Sequence, residues 1–154
     1  MKELCVDGDC SNGSFLTIIP LLRETMPTIL IIDDNDSFRE SFRDLLSQHF
    51  PDMRIEEAVD SKESFEKITE HPPGLIFVDL ELGGESGLDL TRKIRSTYRY
   101  TPIAILTNYD LPEYRDAAKD SGANHFFSKG ASSMEEVLEL VDTIVFERQR
   151  RSEK

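Results

Sequence analysis

Asp33, Asp34, Asp79, Thr107 and Lys129 are the residues whose types and placement could do chemistry. Each follows a segment that reads as a strand: Asp33-Asp34 after Thr28 to Ile32, Asp79 after Leu75 to Val78, Thr107 after Pro102 to Leu106, and Lys129 after Asn124 to Ser128. Taken singly, each has an ordinary explanation. An Asp after a strand is commonly a turn residue or a helix cap, and a Lys there is commonly solvated. If the runs are parallel strands of one sheet, all of these side chains arrive at one edge. Two unit charges about 4 Å apart repel by ~4 kcal/mol at an effective dielectric near 20. Three clustered carboxylates are therefore strained until a hard divalent cation joins them. Mg²⁺ suits the set, since it takes one or two carboxylates and keeps waters that a phosphate oxygen can replace. Oxygen donors without Cys or clustered His argue against a zinc or copper site here, and His49, His71 and His125 are scattered.

The elements that would position these residues follow from periodicity. The run Thr28-Ile29-Leu30-Ile31-Ile32 reads as a strand buried on both faces. A helix follows, capped by Asp36 or Ser37, with Phe38, Phe42, Leu45 and Leu46 on one side. Met53 to Val59 reads as a second strand. Asp60 then caps a helix, with Glu63 placed for a capping box and Phe65 and Ile68 facing inward. Leu75 to Val78 is the third strand, after Pro72-Pro73-Gly74. Leu88, Leu90 and Ile94 mark the third helix, and Pro102 to Leu106 the fourth strand. The fourth helix starts near Pro112 and stops at Gly122. The fifth strand is Asn124 to Ser128. Ser132 or Ser133 caps the last helix, whose stripe is Val137, Leu138, Val141, Ile144 and Val145.

Strict alternation of five strands and five helices predicts an α/β fold: a doubly wound parallel sheet with helices on both faces. Ligands in such folds sit beyond the carboxyl ends of the strands.

The 154 residues suit one domain, with 38% apolar and 31% charged residues. A net charge of −12 opposes binding of a nucleic-acid backbone by the bulk surface. Cys5 and Cys10, both near one end, fit a reducing compartment. No secretory leader or membrane span is evident, so a cytoplasmic location is expected. Residues 1–26 read as an extension. Asp7, Asp9 and Ser11 imitate the opening of a calcium loop, but Asn12 and Ile18 break that motif. Residues 149–154 read as a basic tail, with Arg150, Arg151 and Lys154 complementing a helix C-terminus.

Over residues 27–148 the chain resembles the receiver domains of two-component response regulators. The resemblance rests on Asp33-Asp34 in IIDDND, Asp79 in LIFVDLELGGESG, Thr107 in AILTN, Lys129 in FFSKG, and Gly87 eight residues after Asp79. It implies a flavodoxin-like strand order, 2-1-3-4-5. It implies that Asp79 accepts a phosphoryl group with Mg²⁺, held by Asp34, Asp79 and the backbone carbonyl of Glu81, with Asp33 acting through a water. Lys129 and Thr107 would meet phosphoryl oxygens, and Phe126 would turn inward as Thr107 moves. The donor would be a histidine kinase or a histidine phosphotransfer protein. The output would be a protein bound through the face of helix four, strand five and helix five, with homodimerisation on phosphorylation as a further option and no direct contact with nucleic acid or membrane. On this reading the chain is a single-domain signalling phosphoacceptor, not an enzyme.

Some positions depart from the family pattern. Gly83-Gly84 stands where a proline is common, which predicts a looser loop; Gly130 follows Lys129, and Asn108 follows Thr107. Glu81 and Tyr109 occupy positions that tune phosphate lifetime. Two other readings remain. A scaffold could bind partners without phosphorylation. A phosphatase of the haloacid-dehalogenase kind would need an Asp where Glu81 stands and a nucleophile after the first strand.

Overall fold

The computed structural model describes residues 27–130 and 132–152. The extension, its broken calcium-like motif and Lys154 lie outside them.

Five strands form one parallel sheet: β1 (Thr28–Ile32), β2 (Arg54–Ala58), β3 (Leu75–Val78), β6 (Ile103–Thr107) and β7 (His125–Ser128). Their order is β2-β1-β3-β6-β7, the expected 2-1-3-4-5. Helices α1 (Asp36–His49), α2 (Ser61–Glu70), α3 (Gly87–Thr97), α4 (Pro112–Asp120) and α5 (Met134–Ser152) connect and follow them. Alternate residues of each strand feed opposite faces, because side chains alternate along a strand. Leu30, Ile32, Ile76, Val78, Ile103 and Ile105 meet Ile68 of α2, Leu90 and Ile94 of α3 and Ala118 of α4. Ile29, Ile31, Leu75, Phe77, Ala104 and Leu106 meet Phe42 and Leu46 of α1 and Val137, Val141 and Val145 of α5. This two-sided burial is why β1, β3 and β6 read as continuous apolar runs. Each fully buried Leu, Ile or Phe contributes about 1.5–3 kcal/mol relative to exposure.

Two local features differ from expectation. Asn35, not Asp36 or Ser37, caps α1: its backbone is extended and its side chain accepts the Phe38 N–H at 3.0 Å. Helix α5 runs to Ser152, with Arg150 and Arg151 in its last turn, where the sequence placed cations at a helix C-terminus. The loop after Asp79 is a hairpin, β4 (Glu81–Leu82) against β5 (Glu85–Ser86). Gly83 and Gly84 have φ of 57° and 97°, as a two-residue turn of the primed kind demands. The glycine pair therefore tightens the loop that it was expected to loosen.

The other caps match expectation. Asp60 accepts the Glu63 N–H at 2.8 Å as expected, whereas Glu63 accepts the Val59 N–H at 3.1 Å, one residue before the cap and not the cap's own N–H that a capping box uses. Ser133 accepts the Glu136 N–H at 3.3 Å.

The end of the molecule away from the acidic residues is closed by Arg95. Its guanidinium donates to the carbonyls of Tyr98, Arg99 and Gly122 and to Asn124 Oδ1, at 2.8–3.1 Å. Asn124 Oδ1 also accepts the Ile103 N–H at 2.9 Å, so α3 and the start of β7 are tied to β6. Arg95→Ala leaves these carbonyls short of a charged donor and should cost about 2 kcal/mol by urea unfolding. A loss below about 0.5 kcal/mol would show that water replaces the guanidinium.

Candidate functional site

The ladder of the sheet continues one residue past the strand ends and thereby aims the polar side chains. The Asp33 N–H donates to Ala58 O at 3.1 Å, the Asp79 N–H to Ile32 O at 3.0 Å, and the Lys129 N–H to Thr107 O at 2.7 Å. Carboxylate oxygens of Asp33, Asp34 and Asp79 consequently lie within 4.8 Å of one another. Lys129 Nζ donates to Asp33 Oδ2 at 2.6 Å and lies 3.5 Å from Asp79 Oδ2. The five residues singled out from the sequence are thus neighbours across β1, β3, β6 and the end of β7.

Their environments differ. Asp33 is 2% exposed and heavily tethered. Its Oδ1 accepts the Asn35 N–H at 2.9 Å, and its backbone carbonyl accepts Arg39 Nη1 at 2.8 Å. Arg39 is fixed in turn by Asp36 at 2.6 Å and Glu57 at 3.0 Å. Asp34 is exposed. The Asp79 side chain is 13% exposed, and its Oδ1 accepts the Leu80 N–H at 2.8 Å. Burial pushes the Asp79 carboxyl above its ordinary value, and the charge of Asp33 adds to that. Lys129, Thr107 and the Leu80 N–H pull the other way without cancelling it. Thr107 is fully buried, and its hydroxyl oxygen accepts the Tyr109 N–H at 3.3 Å.

A cleft of about 670 Å³ opens over these groups, lined by Asp34, Asp79, Glu81, Asn108, Tyr109 and Lys129 among others. The Tyr109 hydroxyl donates to Glu81 Oε2 at 3.2 Å, closing one side of the mouth. The hydrogen bond to Glu81 raises the phenol above its ordinary value. Asn108 borders the opening, as its position after Thr107 suggested. Phe126 is half-buried against the α2–α3–α4 face, with the Arg115 guanidinium 4.8 Å from its ring centroid. In this structure it is a packed side chain under a cation.

Three carboxylates against one ammonium leave an excess of negative charge with only oxygen donors. Asp34 is directed to solvent, where a hydrated ion can reach it. The donor set therefore fits a hard divalent cation. Sequence reasoning missed Arg39, the Tyr109–Glu81 bond and the hairpin. The Gly83-Gly84 pair was a usable signal for the hairpin. The Tyr109–Glu81 bond and the pairing of Arg39 with Glu57 join residues far apart in sequence and have no local signature.

The sequence profile described as the response regulator receiver domain matches residues 29–142. The oxygen regulatory protein NreC of Staphylococcus haemolyticus is 35% identical over 117 residues, covering 75% of this chain and 54% of that protein. A LuxR-family two-component response regulator from Aurantimonas superposes with a TM-score of 0.71 at 27% identity, covering 80% of this chain and 87% of that one. The response regulator TrrA of Thermotoga maritima, in complex with Mg²⁺-BeF, superposes with a TM-score of 0.67 at 27% identity, covering 77% of this chain and 99% of that one. This chain belongs to the receiver-domain family of two-component response regulators. It spans about half the length of the curated relatives it matches.

Proposed function

We propose that Asp79 accepts a phosphoryl group from the phosphohistidine of a kinase or phosphotransfer protein, with Mg²⁺ at the acidic cluster. The supporting observation is the placement of the Asp79 carboxylate beside two further carboxylates and the Lys129 ammonium, at the open carboxyl ends of the strands. A carboxylate oxygen of Asp79 attacks phosphorus as the bond to the donor imidazole nitrogen breaks. The electron pair leaves on that nitrogen, which takes up a proton. Lys129 holds a positive charge at the oxygen it faces, and Thr107 offers its hydroxyl to another. Asp34, Asp79 and the Glu81 carbonyl would hold Mg²⁺, with Asp33 behind a water. When bound, the ion supplies counter-charge to phosphoryl oxygens.

The drawing of Thr107 toward a phosphate would free the space into which Phe126 turns, a two-state element biased by a local charge. That rearrangement would reshape the face of α4, β7 and α5, where a protein target binds. Leu111 and Tyr114 are exposed at the start of α4, which supports a contact surface there. On this reading the chain is a signalling phosphoacceptor that acts in the cytoplasm through protein contacts, not through nucleic acid. No helix among the described residues is long and apolar enough to cross a membrane.

Incubation with Mg²⁺ and acetyl phosphate, followed by intact-mass measurement, tests the reading. The expected result is a gain of one phosphoryl group. No gain from acetyl phosphate, or from a histidine-phosphorylated donor protein, would leave a scaffold that works unphosphorylated. Separately, Asp34→Ala should weaken Mg²⁺ affinity about tenfold or more by calorimetry. Unchanged affinity would remove Asp34 from the metal ligands.

A further inference from the structure

The Lys129 side chain is only 7% exposed, yet its ion pair with Asp33 accounts for one direction around the ammonium. Another side is covered by carbon. Lys129 Nζ sits 3.9 Å from the centroid of the Phe38 ring, within the range where a cation is drawn to the negative face of an aromatic. Phe38 is itself supported. Its ring stacks on Phe42 at 5.6 Å and 22°, and Phe42 meets Phe77 edge-on at 5.0 Å and 84°. Phe77 lies in β3, two residues before Asp79. An aromatic column therefore runs from the strand carrying Asp79 to the ammonium facing it. The Phe38 N–H is held by the α1 cap Asn35, whose own N–H is held by Asp33. The start of α1 thus fixes the ring relative to the acidic cluster through Asp33.

We infer that Phe38 is a positioning residue: its ring face holds the Lys129 ammonium where it can meet a phosphoryl oxygen on Asp79. Lysine carries a flexible stem, so a cation aimed only by its close pair with Asp33 and its longer approach to Asp79 keeps freedom to swing with the Asp33 carboxylate as its pivot. The ring removes this freedom and partly replaces the water that burial takes away. An aliphatic side chain of similar bulk fills the space without offering a negative face. This inference rests on the phosphoacceptor reading of Asp79.

Replacing Phe38 by mono-, di- and trifluorophenylalanine weakens the ring face stepwise at nearly constant size. Phe38→Leu removes it, and Phe38→Tyr keeps it. Two rates are read on each protein with Mg²⁺ present: trace acylation of Lys129 by an amine-reactive ester, quantified by peptide mass spectrometry, and phosphoryl uptake from acetyl phosphate. Acylation should rise and uptake should fall in the order of fluorination, reaching about tenfold for Phe38→Leu, with Phe38→Tyr near the original. Flat acylation across the fluorinated series, with a change only in Phe38→Leu, would reduce Phe38 to packing and overturn the inference. Graded acylation with flat uptake would show a held lysine with no bearing on transfer, and would also overturn it. If the unaltered protein takes up no phosphoryl group, the reading of Asp79 fails, while acylation still reports on the ring–ammonium contact.

Discussion

Asp79→Asn should abolish phosphoryl uptake from acetyl phosphate and, without Mg²⁺, should make the folded protein more stable at neutral pH. The first effect follows from chemistry: a carboxamide oxygen carries no charge with which to attack phosphorus. The second follows from electrostatics. Burial, followed by the charge of Asp33, raises the Asp79 carboxyl in the folded state despite Lys129. A carboxyl whose folded value is raised binds its proton more tightly folded than unfolded. Its stabilising contribution is complete below the ordinary Asp value of about 3.9 and is lost as pH rises through the raised folded value. Above that window the ionised Asp79 is a net liability, which Asn avoids while keeping an oxygen for the Leu80 N–H. Thermal melts should therefore agree near pH 3 and separate above about pH 4, with the Asn protein higher. Added Mg²⁺ should close the gap if the ion binds the carboxylate of the unaltered protein as proposed. Uptake at the original rate would remove Asp79 as acceptor. A lower melting temperature for Asp79→Asn at pH 7 without Mg²⁺ would mean that the Lys129 attraction outweighs burial.

Much of this site could be read in the sequence because a parallel sheet converts order along the chain into position at an edge. β1, β3 and β6 are buried on both sides, so their apolar runs are continuous and their ends are sharp. Asp33, Asp79 and Thr107 mark those ends. What could not be read has two physical causes. Where neighbouring residues have equal competence, backbone conformation decides. Asn35, Asp36 and Ser37 can all cap a helix, and the extended φ and ψ of Asn35 select it. Where a contact joins distant segments, no local pattern announces it. Tyr109 to Glu81, Arg39 to Glu57 and Phe38 to Lys129 arise only once the strands are side by side. The two-residue strands β4 and β5 are too short to show any period.

Gly87→Ala should destabilise the fold by roughly 3 kcal/mol or more and, on the proposed reading, slow phosphoryl uptake through the main chain of Asp79. Gly87 opens α3 and is buried directly behind Asp79. Its N–H donates to Leu80 O at 2.8 Å. A β-carbon at this position would lie 1.9 Å from the Asp79 carbonyl oxygen, 2.8 Å from its carbon and 2.9 Å from Leu80 Cα. All three are main-chain atoms, so no side chain can swing away to make room. Either α3 retreats, opening a gap under Leu90 and Ile94, or the Asp79–Leu80 peptide moves. Movement of that peptide displaces the Leu80 N–H that holds Asp79 Oδ1, and with it the carboxylate. A change of one methyl group outside the cleft therefore reaches the acceptor without touching any charged group. Urea unfolding and uptake from acetyl phosphate should fall together in Gly87→Ala. Gly84→Ala is the informative contrast, since a β-carbon there meets nothing within 4 Å and only the φ of 97° is strained. It should lose about 1 kcal/mol through the hairpin turn. Equal losses in the two variants would show that turn strain, not the approach of α3 to the Asp79 main chain, dominates this corner of the site.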